Sequence, residues 1–478
     1  MIRRIMDAIS RWTLLAVMGV ILIISVVCKA MYHFQDYPYF TKNGPADFIC
    51  IGLATGVYLM LIKKRDALQE KLNCRLCFIL YMAAAVTYIF LVPLKPFSDM
   101  RAVMEGAISF SKLNWKEFFA DPYWEVFPGN IYLAVFWGLT LIPLPGNVYS
   151  LRIVNAVFIY LIIMLTRKIA EVYGIKYSKL VYALMLLNIP LFLYINQVYF
   201  DTPVMLLCLL AVYLYKKYDN ILPAMAVLGL ARYFRQSALI FMAAILICHI
   251  FEKRSLFEKE TWKKETLKLV SSVVIFLLIS KLSVGIVGSF IQKNSDYKSY
   301  PAWNQIYIGL NEPEFGFMDN NFSYDRSFDD VVDRVKEYGP KRMTVLLGKK
   351  TFWLWSQGTY QAERYAFGID VTESSEKFEY DTVLTGHLLD NGQILRRLIN
   401  SMMRSEYLVI FALFIWSLVR KENINRYRLF YYCFTATFLI MIVYELKSRY
   451  IFHLLPFMVI LSQKYLDYTD KTKLGEKN

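Results

Sequence analysis

The sequence predicts an all-α polytopic membrane protein with about twelve transmembrane helices and a large extracytoplasmic loop. Of its 478 residues, 57% are hydrophobic and 19% are charged, and the apolar residues are gathered in runs of membrane-spanning length. Aromatic residues make up 16% of the chain, which suits many helix ends at lipid–water interfaces. Lys and Arg concentrate in the short loops between the apolar runs, as cytoplasmic loops do.

Each apolar run is assigned to one predicted span. The first run follows Arg3, Arg4 and Arg11 and is long enough to cross the bilayer, so we predict a retained helix rather than a cleaved signal peptide. The predicted spans cover residues 12–31, 46–62, 76–94, 149–166, 178–197, 202–215, 220–233, 237–251, 268–290, 405–419, 428–444 and 449–463.

Basic residues follow every even-numbered span. Lys63, Lys64 and Arg65 come after the second span, and Lys253 and Arg254 open the loop after the eighth. Basic loops are retained on the cytoplasmic side, so both termini are predicted to be cytoplasmic. The same loops account for the net charge of +15, and we therefore do not predict nucleic-acid binding.

The apolar segment 130–144 tests this orientation. If it crossed the bilayer, every later loop would change sides and the basic clusters would lie outside. The segment is short and contains Trp137, Pro143 and Pro145. We therefore predict an amphipathic or re-entrant helix on the outer leaflet.

The predicted spans divide the chain into four regions. Residues 1–75 hold two N-terminal helices, and residues 76–291 form a transmembrane core with a first outer loop at 95–148. Residues 292–404 form an extracytoplasmic loop domain, and residues 405–478 hold the last helices and a cytoplasmic tail.

Two helices are predicted inside the extracytoplasmic loop domain. Ser327 and Asp330 have the spacing of a helix-start signature. Pro340 is placed to begin a second helix that reaches Trp355, with Gly358 ending it.

Ionisable residues recur where spans meet the predicted outer loops. Asp99 lies a few residues beyond the third span, and Asp201 lies at the outer start of the sixth. Arg235 lies in the hinge between the seventh and eighth spans. Glu445 and Arg449 lie in the hinge before the last span. Charges at that depth are costly unless they are paired or functional.

The chemistry of these residue types suits a lipid phosphate at the membrane surface. A carboxylate near a desolvating surface can be tuned as a general base. Arginine can hold a phosphate through bidentate, charge-assisted hydrogen bonds. A lipid phosphate would place its head among these groups and its tail in the bilayer.

Structural roles account for several of the same residues. Asp201 could cap the sixth span, since Pro203 follows in the first turn. Glu445 and Arg449 have the i, i+4 spacing of a helical ion pair. Arg235 could be an interfacial anchor. Asp99 has no such explanation, so its functional interpretation is favoured.

Taken in order, these motifs resemble the GT-C superfamily of membrane glycosyltransferases. The closest likeness is to the family 39 branch, which includes relatives of protein mannosyltransferases and the lipid A aminoarabinose transferase. The motifs are Pro96, Ser98 and Asp99 after a span; Phe127, Pro128 and Asn130; Leu151 and Arg152; Asp201; Gly229, Tyr233, Arg235 and Gln236; and Glu445, Arg449, Tyr450 and Pro456.

The resemblance implies an inverting transfer of a sugar from a polyprenyl-phosphate donor to an extracytoplasmic acceptor, which could be a cell-envelope glycopolymer, a lipid or a protein. Asp99 would be the catalytic base, and Asp201 would orient the acceptor or touch a divalent metal. The other candidate residues are Arg235, Arg449 and Lys447 for the lipid phosphate, with Glu445, Arg101 and Tyr450 in support.

The alternative function is that of a transporter or a flippase for lipid-linked sugars. Such proteins place charged residues and broken helices near the bilayer midplane. Here the candidate residues lie at the ends of predicted spans and on one side, which favours the enzyme. The expected partners are the polyprenyl-phosphate sugar, the cell-envelope acceptor and membrane lipids.

Overall fold

A computed structural model describes residues 2–33, 37–127, 129–252, 261–288, 302–318, 326–367, 377–388, 394–419 and 423–463. Pro128 of the predicted motif, the basic residues Lys253 and Arg254, and the tail beyond residue 463 lie outside the described residues. The regular structure of the described residues is helical, as predicted, apart from one β hairpin and an isolated β bridge between Leu94 and Phe378, both of which the sequence analysis missed.

The helices and strands are given in chain order. They are α1 (Ile2–Val27), β1 (Cys28–His33), β2 (Tyr37–Lys42), α2 (Pro45–Lys63), α3 (Arg65–Lys71), α4 (Cys74–Leu91), α5 (Ser98–Ser111), α6 (Trp115–Ala120), α7 (Tyr123–Val126), α8 (Gly129–Leu141), α9 (Val148–Val172), α10 (Ser178–Leu186), α11 (Ile189–Leu193), α12 (Asp201–Tyr218), α13 (Ile221–Phe234), α14 (Ala238–Glu252), α15 (Trp262–Gly288), α16 (Ala302–Gly309), α17 (Phe328–Ser356), α18 (Ala362–Phe367), α19 (Ile394–Val419), α20 (Asn423–Val443) and α21 (Leu455–Ser462). Short 3₁₀ turns cover Tyr194–Asn196, Thr385–Leu388 and Ser448–Leu454.

Five of the described helices, α1, α2, α4, α9 and α19, are long and apolar enough to cross a membrane. A sixth candidate is α10 with the helical turns at 189–196, which meet at an angle of 54°. These helices identify a multi-pass helical membrane protein. The remaining predicted spans also coincide with helical segments, and the total of twelve stays a prediction.

The first span differs from its predicted limits, because α1 begins at Ile2 and ends at Val27. The residues after Val27 form the hairpin, with Cys28 opposite Lys42. The hairpin packs on α17, since the Trp353 indole donates a hydrogen bond to the Met31 carbonyl at 2.9 Å. An apolar run alone cannot mark this helix end, because hairpin residues buried against α17 extend it.

Helix α8 covers most of the apolar segment 130–144, on which the predicted side of every later loop depends. Its 13 residues extend for about 20 Å at the helical rise, whereas a bilayer core is about 30 Å thick. The helix packs on α5, where a Cβ at Gly138 would lie 2.7 Å from the Phe110 ring. Leu139 and Ile142 remain exposed. The helix is shorter than a typical transmembrane helix, as α13 and α14 also are, and its place on the outer leaflet stays a prediction.

Helix α17 confirms the two predicted helix starts in the loop domain. The Ser327 hydroxyl oxygen accepts from the Asp330 amide at 3.2 Å, and the Asp330 carboxylate accepts from the Ser327 amide at 2.7 Å. A kink at Gly339, with φ of 64°, separates this first part from the part that begins at Pro340. The helix ends at Ser356.

A buried ion pair joins α1 to α20. The Arg428 guanidinium on α20 contacts the Asp7 carboxylate on α1 at 2.9 Å, and the Tyr432 hydroxyl donates to the same carboxylate at 2.8 Å. The Arg428 guanidinium also contacts the Glu252 carboxylate at 3.5 Å, but Asp7 is its closer and more deeply buried partner. Removing the main partner of a buried charge is strongly destabilising.

We therefore expect Asp7→Leu to lower the free energy of unfolding by about 3–5 kcal/mol. The double variant Asp7→Leu/Arg428→Met should recover much of that loss, because neither charge is then left buried. Denaturant unfolding of the protein in detergent measures both, with the exposed Arg4→Ala as the control. Equal losses in the single and double variants would contradict this account.

Candidate functional site

Asp99 lies in the first turn of α5, and its carboxylate faces two tyrosine hydroxyls. Tyr199 donates to the carboxylate at 3.4 Å, and Tyr123 is a second hydrogen-bond partner. The preceding residue, Ser98, adopts a φ of 51°, which costs energy outside glycine and is common at functional sites. The tertiary structure thus holds this carboxylate in a defined, half-buried position.

Asn130 on α8 joins the two tyrosines. Its side-chain amide donates to the Tyr123 oxygen at 2.6 Å and to the Tyr199 oxygen at 3.0 Å. Burial raises the pKa of Tyr123 and of Tyr199, and the charge of Asp99 raises both further. Both phenols therefore stay protonated, and since their oxygens accept from Asn130, their O–H groups are free to donate to Asp99.

Side chains of α9 and α8 hold the loop that carries Tyr199 through hydrogen bonds to its backbone. The Asn155 amide donates to the carbonyls of Tyr194, Ile195 and Gln197 at 2.9, 3.1 and 3.0 Å. The Trp137 indole on α8 donates to the Tyr199 carbonyl at 3.3 Å. These bonds determine the position of Tyr199 between Asp99 and the arginines.

Two guanidinium groups pack against the aromatic rings beside Asp99. The Arg449 guanidinium lies 5.6 Å from the centre of the Tyr199 ring and 5.2 Å from that of Phe200. The Arg235 guanidinium lies 4.4 Å from the Phe200 ring and 4.1 Å from the Tyr450 ring. Attraction between the guanidinium groups and the ring faces helps to keep both cations in place.

Asp201 is buried and paired with Arg235. One carboxylate oxygen contacts the guanidinium at 3.1 Å, and the other accepts from the Gln197 amide at 2.8 Å. The pairing with Arg235, from the hinge after α13, gives Asp201 a role beyond capping α12. It also makes Arg235 more than an interfacial anchor.

Glu445 contacts Lys447 and Tyr450, and the charge of Arg449 also acts on it. Its carboxylate contacts the Lys447 ammonium at 2.7 Å and accepts from the Tyr450 hydroxyl at 2.6 Å. The predicted i, i+4 pairing assumed a helix, but Glu445 lies in a non-helical hinge between α20 and the turn at Ser448–Leu454. Burial alone would raise the pKa of Glu445, but the charge of Lys447 and these hydrogen bonds lower it below its usual value.

Arg101 lies apart from this cluster. Its guanidinium contacts Glu105, one turn further along α5, at 2.9 Å, and its side chain is 64% exposed. The other predicted residues form one chain of contacts, which runs from Asp99 through Tyr199 to Arg449. From there, Phe200 and Tyr450 connect it to the paired Asp201 and Glu445.

The sequence analysis did not select Tyr123, Tyr199 or Phe200, and it noted Asn130 only as part of a motif. Their types are common in this chain, which has 35 Tyr and 34 Phe. A signal existed only for Tyr199 and Phe200, since both immediately precede Asp201.

Asp201 is the residue for which the resemblance implied a possible contact with a divalent metal. Among the residues that the structure describes, no three His, Cys, Asp or Glu side chains lie close enough to hold a metal ion. Asp201 is paired with Arg235 and lies near Arg449, so its surroundings favour anions over a divalent cation.

A buried lysine lies next to the hinge that carries Glu445. The Lys350 ammonium donates to the Tyr444 carbonyl at 3.0 Å and also to the Gly309 carbonyl. Burial lowers the pKa of Lys350 to about 7, against the opposing charge of Glu445.

Comparisons with protein-family models, with characterised proteins and with solved structures found no match to this chain. The fold and the site therefore define a class only. It is a multi-pass helical membrane protein with a cluster of paired charges where its hinges meet.

The lowered pKa of Lys350 predicts a pH-dependent stability. Between pH 7 and 10, the unfolded lysine binds a proton that the folded one has lost, so stability rises with pH. We expect the free energy of unfolding of the wild type to rise relative to Lys350→Met across this window. Urea unfolding in detergent at several pH values measures the difference, with the exposed Lys341→Met as the control. Parallel pH curves for the wild type and Lys350→Met would show that burial does not shift this group.

Proposed function

We propose that this protein is a GT-C-type glycosyltransferase, which moves a sugar from a polyprenyl-phosphate donor to an extracytoplasmic acceptor with inversion. The observation that supports this most is the placement of Asp99 and Arg449 on either side of Tyr199. The Tyr199 hydroxyl lies 3.4 Å from the carboxylate, and its ring centre lies 5.6 Å from the guanidinium. A general base and an anion-binding group are thus close enough to act on one substrate.

In the proposed reaction, Asp99 accepts the proton of the acceptor hydroxyl. The hydroxyl oxygen attacks the anomeric carbon on the face opposite the phosphate and forms the glycosidic bond. The bond from the anomeric carbon to the phosphate oxygen breaks, and its electrons leave with the polyprenyl phosphate. The Arg449 guanidinium stabilises the negative charge that develops there.

The distribution of charge in the cluster supports an anionic ligand. Three cations, Arg235, Lys447 and Arg449, lie among two buried carboxylates, Asp201 and Glu445. The third carboxylate, Asp99, lies on the other side of Tyr199, so the positive charge is concentrated on the Arg449 side of that ring. In this proposal the two pairs orient the basic groups, and Arg449 makes the main contact with the lipid phosphate.

The proposal includes the predicted orientation. Twelve spans with both termini in the cytoplasm would put this cluster on the extracytoplasmic face, where acceptors of the cell envelope are found. The support is the basic loops, which follow every second predicted span. The loop domain at 292–404 would then form part of the acceptor cleft.

One feature favours the transporter or flippase alternative. Helices α10 and α11 are separated by a sharp bend, and the Glu406 carboxylate of α19 accepts from the Ile189 amide at 3.0 Å and from the Asn188 side chain at 2.9 Å. Broken helices and carboxylates within the membrane are common in transporters. Here the carboxylate caps the start of α11, which gives it a structural role as well.

We expect Asp99→Asn to reduce sugar transfer by about 10²–10⁴-fold, since the amide cannot accept the proton. Membrane insertion and thermal stability should stay unchanged. The assay follows acceptor-dependent release of polyprenyl phosphate from a radiolabelled polyprenyl-phosphate sugar by the purified protein. Glu105→Gln, on the exposed face of the same helix, is the matched control. Transfer at the wild-type rate would remove Asp99 from the mechanism.

Arg449→Gln should weaken binding of polyprenyl phosphate and lower kcat by about 10²–10³-fold, as expected when a group that stabilises transition-state charge is lost. Single-turnover kinetics with the same labelled donor separate the two effects. Movement of the labelled lipid across vesicles without cleavage of the sugar–phosphate bond would instead support the flippase.

A further inference from the structure

The hinge between α20 and α21 is held by the loop domain. The Leu446 amide donates to the Gly316 carbonyl at 2.8 Å, and the Ser448 hydroxyl donates to the Gln357 side chain at 2.8 Å. The Lys350 ammonium donates to the Tyr444 carbonyl at 3.0 Å. We call the hinge-contacting residues Gly309, Gly316, Lys350 and Gln357 the hinge clasp.

Two glycines of the hinge clasp allow the close approach. A Cβ at Gly309 would lie 2.2 Å from the Val443 carbonyl oxygen and 2.4 Å from the Tyr444 carbonyl carbon. Gly316 has a φ of 87°, and a Cβ there would lie 2.7 Å from the Gly309 carbonyl oxygen. Backbone therefore packs directly on backbone where the loop domain meets the hinge, and no side chain fits between them.

Lys350 links both sides of this contact. Its side chain is 1% exposed, and its ammonium donates to one carbonyl in the loop domain, at Gly309, and to one in the hinge, at Tyr444. Burying an amine is costly, and an apolar side chain of similar length would fill the same space at less cost. The bonds to the two carbonyls therefore point to a role in fixing the hinge.

The hinge between α20 and α21 carries two of the basic residues of the site, Lys447 and Arg449. Tyr444 directly precedes Glu445, whose carboxylate contacts Lys447, and Arg449 follows in the next turn. A change in the path of the hinge backbone would move Arg449 relative to Tyr199 and Asp99. The site therefore depends on contacts made by the loop domain.

We propose that Lys350 is a positioning residue, which holds the hinge so that Arg449 faces the phosphate of the polyprenyl donor. This inference rests on the proposed function. It assigns the loop domain a second task besides contacting the acceptor, namely to orient the phosphate-binding group. Lys350 itself does not touch the substrate.

The test measures binding of polyprenyl phosphate to the purified full-length protein in detergent. We expect Lys350→Met to weaken binding about tenfold, because two buried carbonyls lose their donor and the hinge shifts. The KM for the donor should rise, and kcat should fall by a smaller factor than in Arg449→Gln, because a displaced guanidinium stabilises the charge on the leaving phosphate less well. The melting temperature at pH 7 should not fall, since the variant removes a buried amine. A purely structural role would not separate affinity from stability in this way.

Two further variants accompany this test. Ser448→Ala removes the bond to Gln357 and should weaken binding in the same direction, although less strongly. Lys341→Met, an exposed lysine on the same helix, is the matched control and should bind as the wild type does.

The outcomes distinguish this inference from the proposed function. If the wild type does not bind polyprenyl phosphate, the proposed function fails, and this inference fails with it. If Arg449→Gln loses binding but Lys350→Met and Ser448→Ala bind normally, the proposed function stands and the role of Lys350 is overturned. A fall in melting temperature that parallels the loss of affinity in Lys350→Met would also overturn it.

Discussion

The arrangement of the site depends on the free-energy cost of burying charged side chains in a largely apolar protein. A buried carboxylate or guanidinium is tolerated only when an opposite charge or a hydrogen-bond partner compensates it. Asp201 is compensated by Arg235, and Glu445 by Lys447. These pairs determine how the hinges after α13 and α20 meet the start of α12, and so where Arg449 lies.

Aromatic rings make the contacts that connect Asp99 with the two arginines. Tyr199 donates to Asp99 with its hydroxyl and packs its ring face against Arg449. Phe200 lies against both guanidinium groups. Tyr199 therefore lies between the Asp99 carboxylate and the Arg449 guanidinium. In the proposed transfer, Asp99 takes the proton and Arg449 binds the phosphate.

The sequence predicted the charged members of the site but not their partners. Asp99, Asp201, Arg235 and Arg449 could be grouped because each lies where a predicted span ends on the same side. The i, i+4 spacing of Glu445 and Arg449 did not reveal that Glu445 lies in a non-helical hinge, where it contacts Lys447 and Tyr450. Tyr123 could not be selected, since nothing local distinguishes it from the other tyrosines, and Tyr199 differed from them only by its position two residues before Asp201. The hinge clasp, including Lys350, joins parts of the chain that are far apart in sequence.

By itself, the sequence determined the class of the protein and its local signals. Apolar runs specify membrane helices. The capping box at Ser327 and the helix start at Pro340 depend only on neighbouring residues, and both predicted helix starts were correct. The tertiary structure alone decided the hairpin after α1, the pairing of Glu445 and the burial of Lys350. All three features depend on packing between segments that are distant in sequence. Hydropathy and residue spacing describe only local sequence, so they do not show which distant backbone will bury a given side chain.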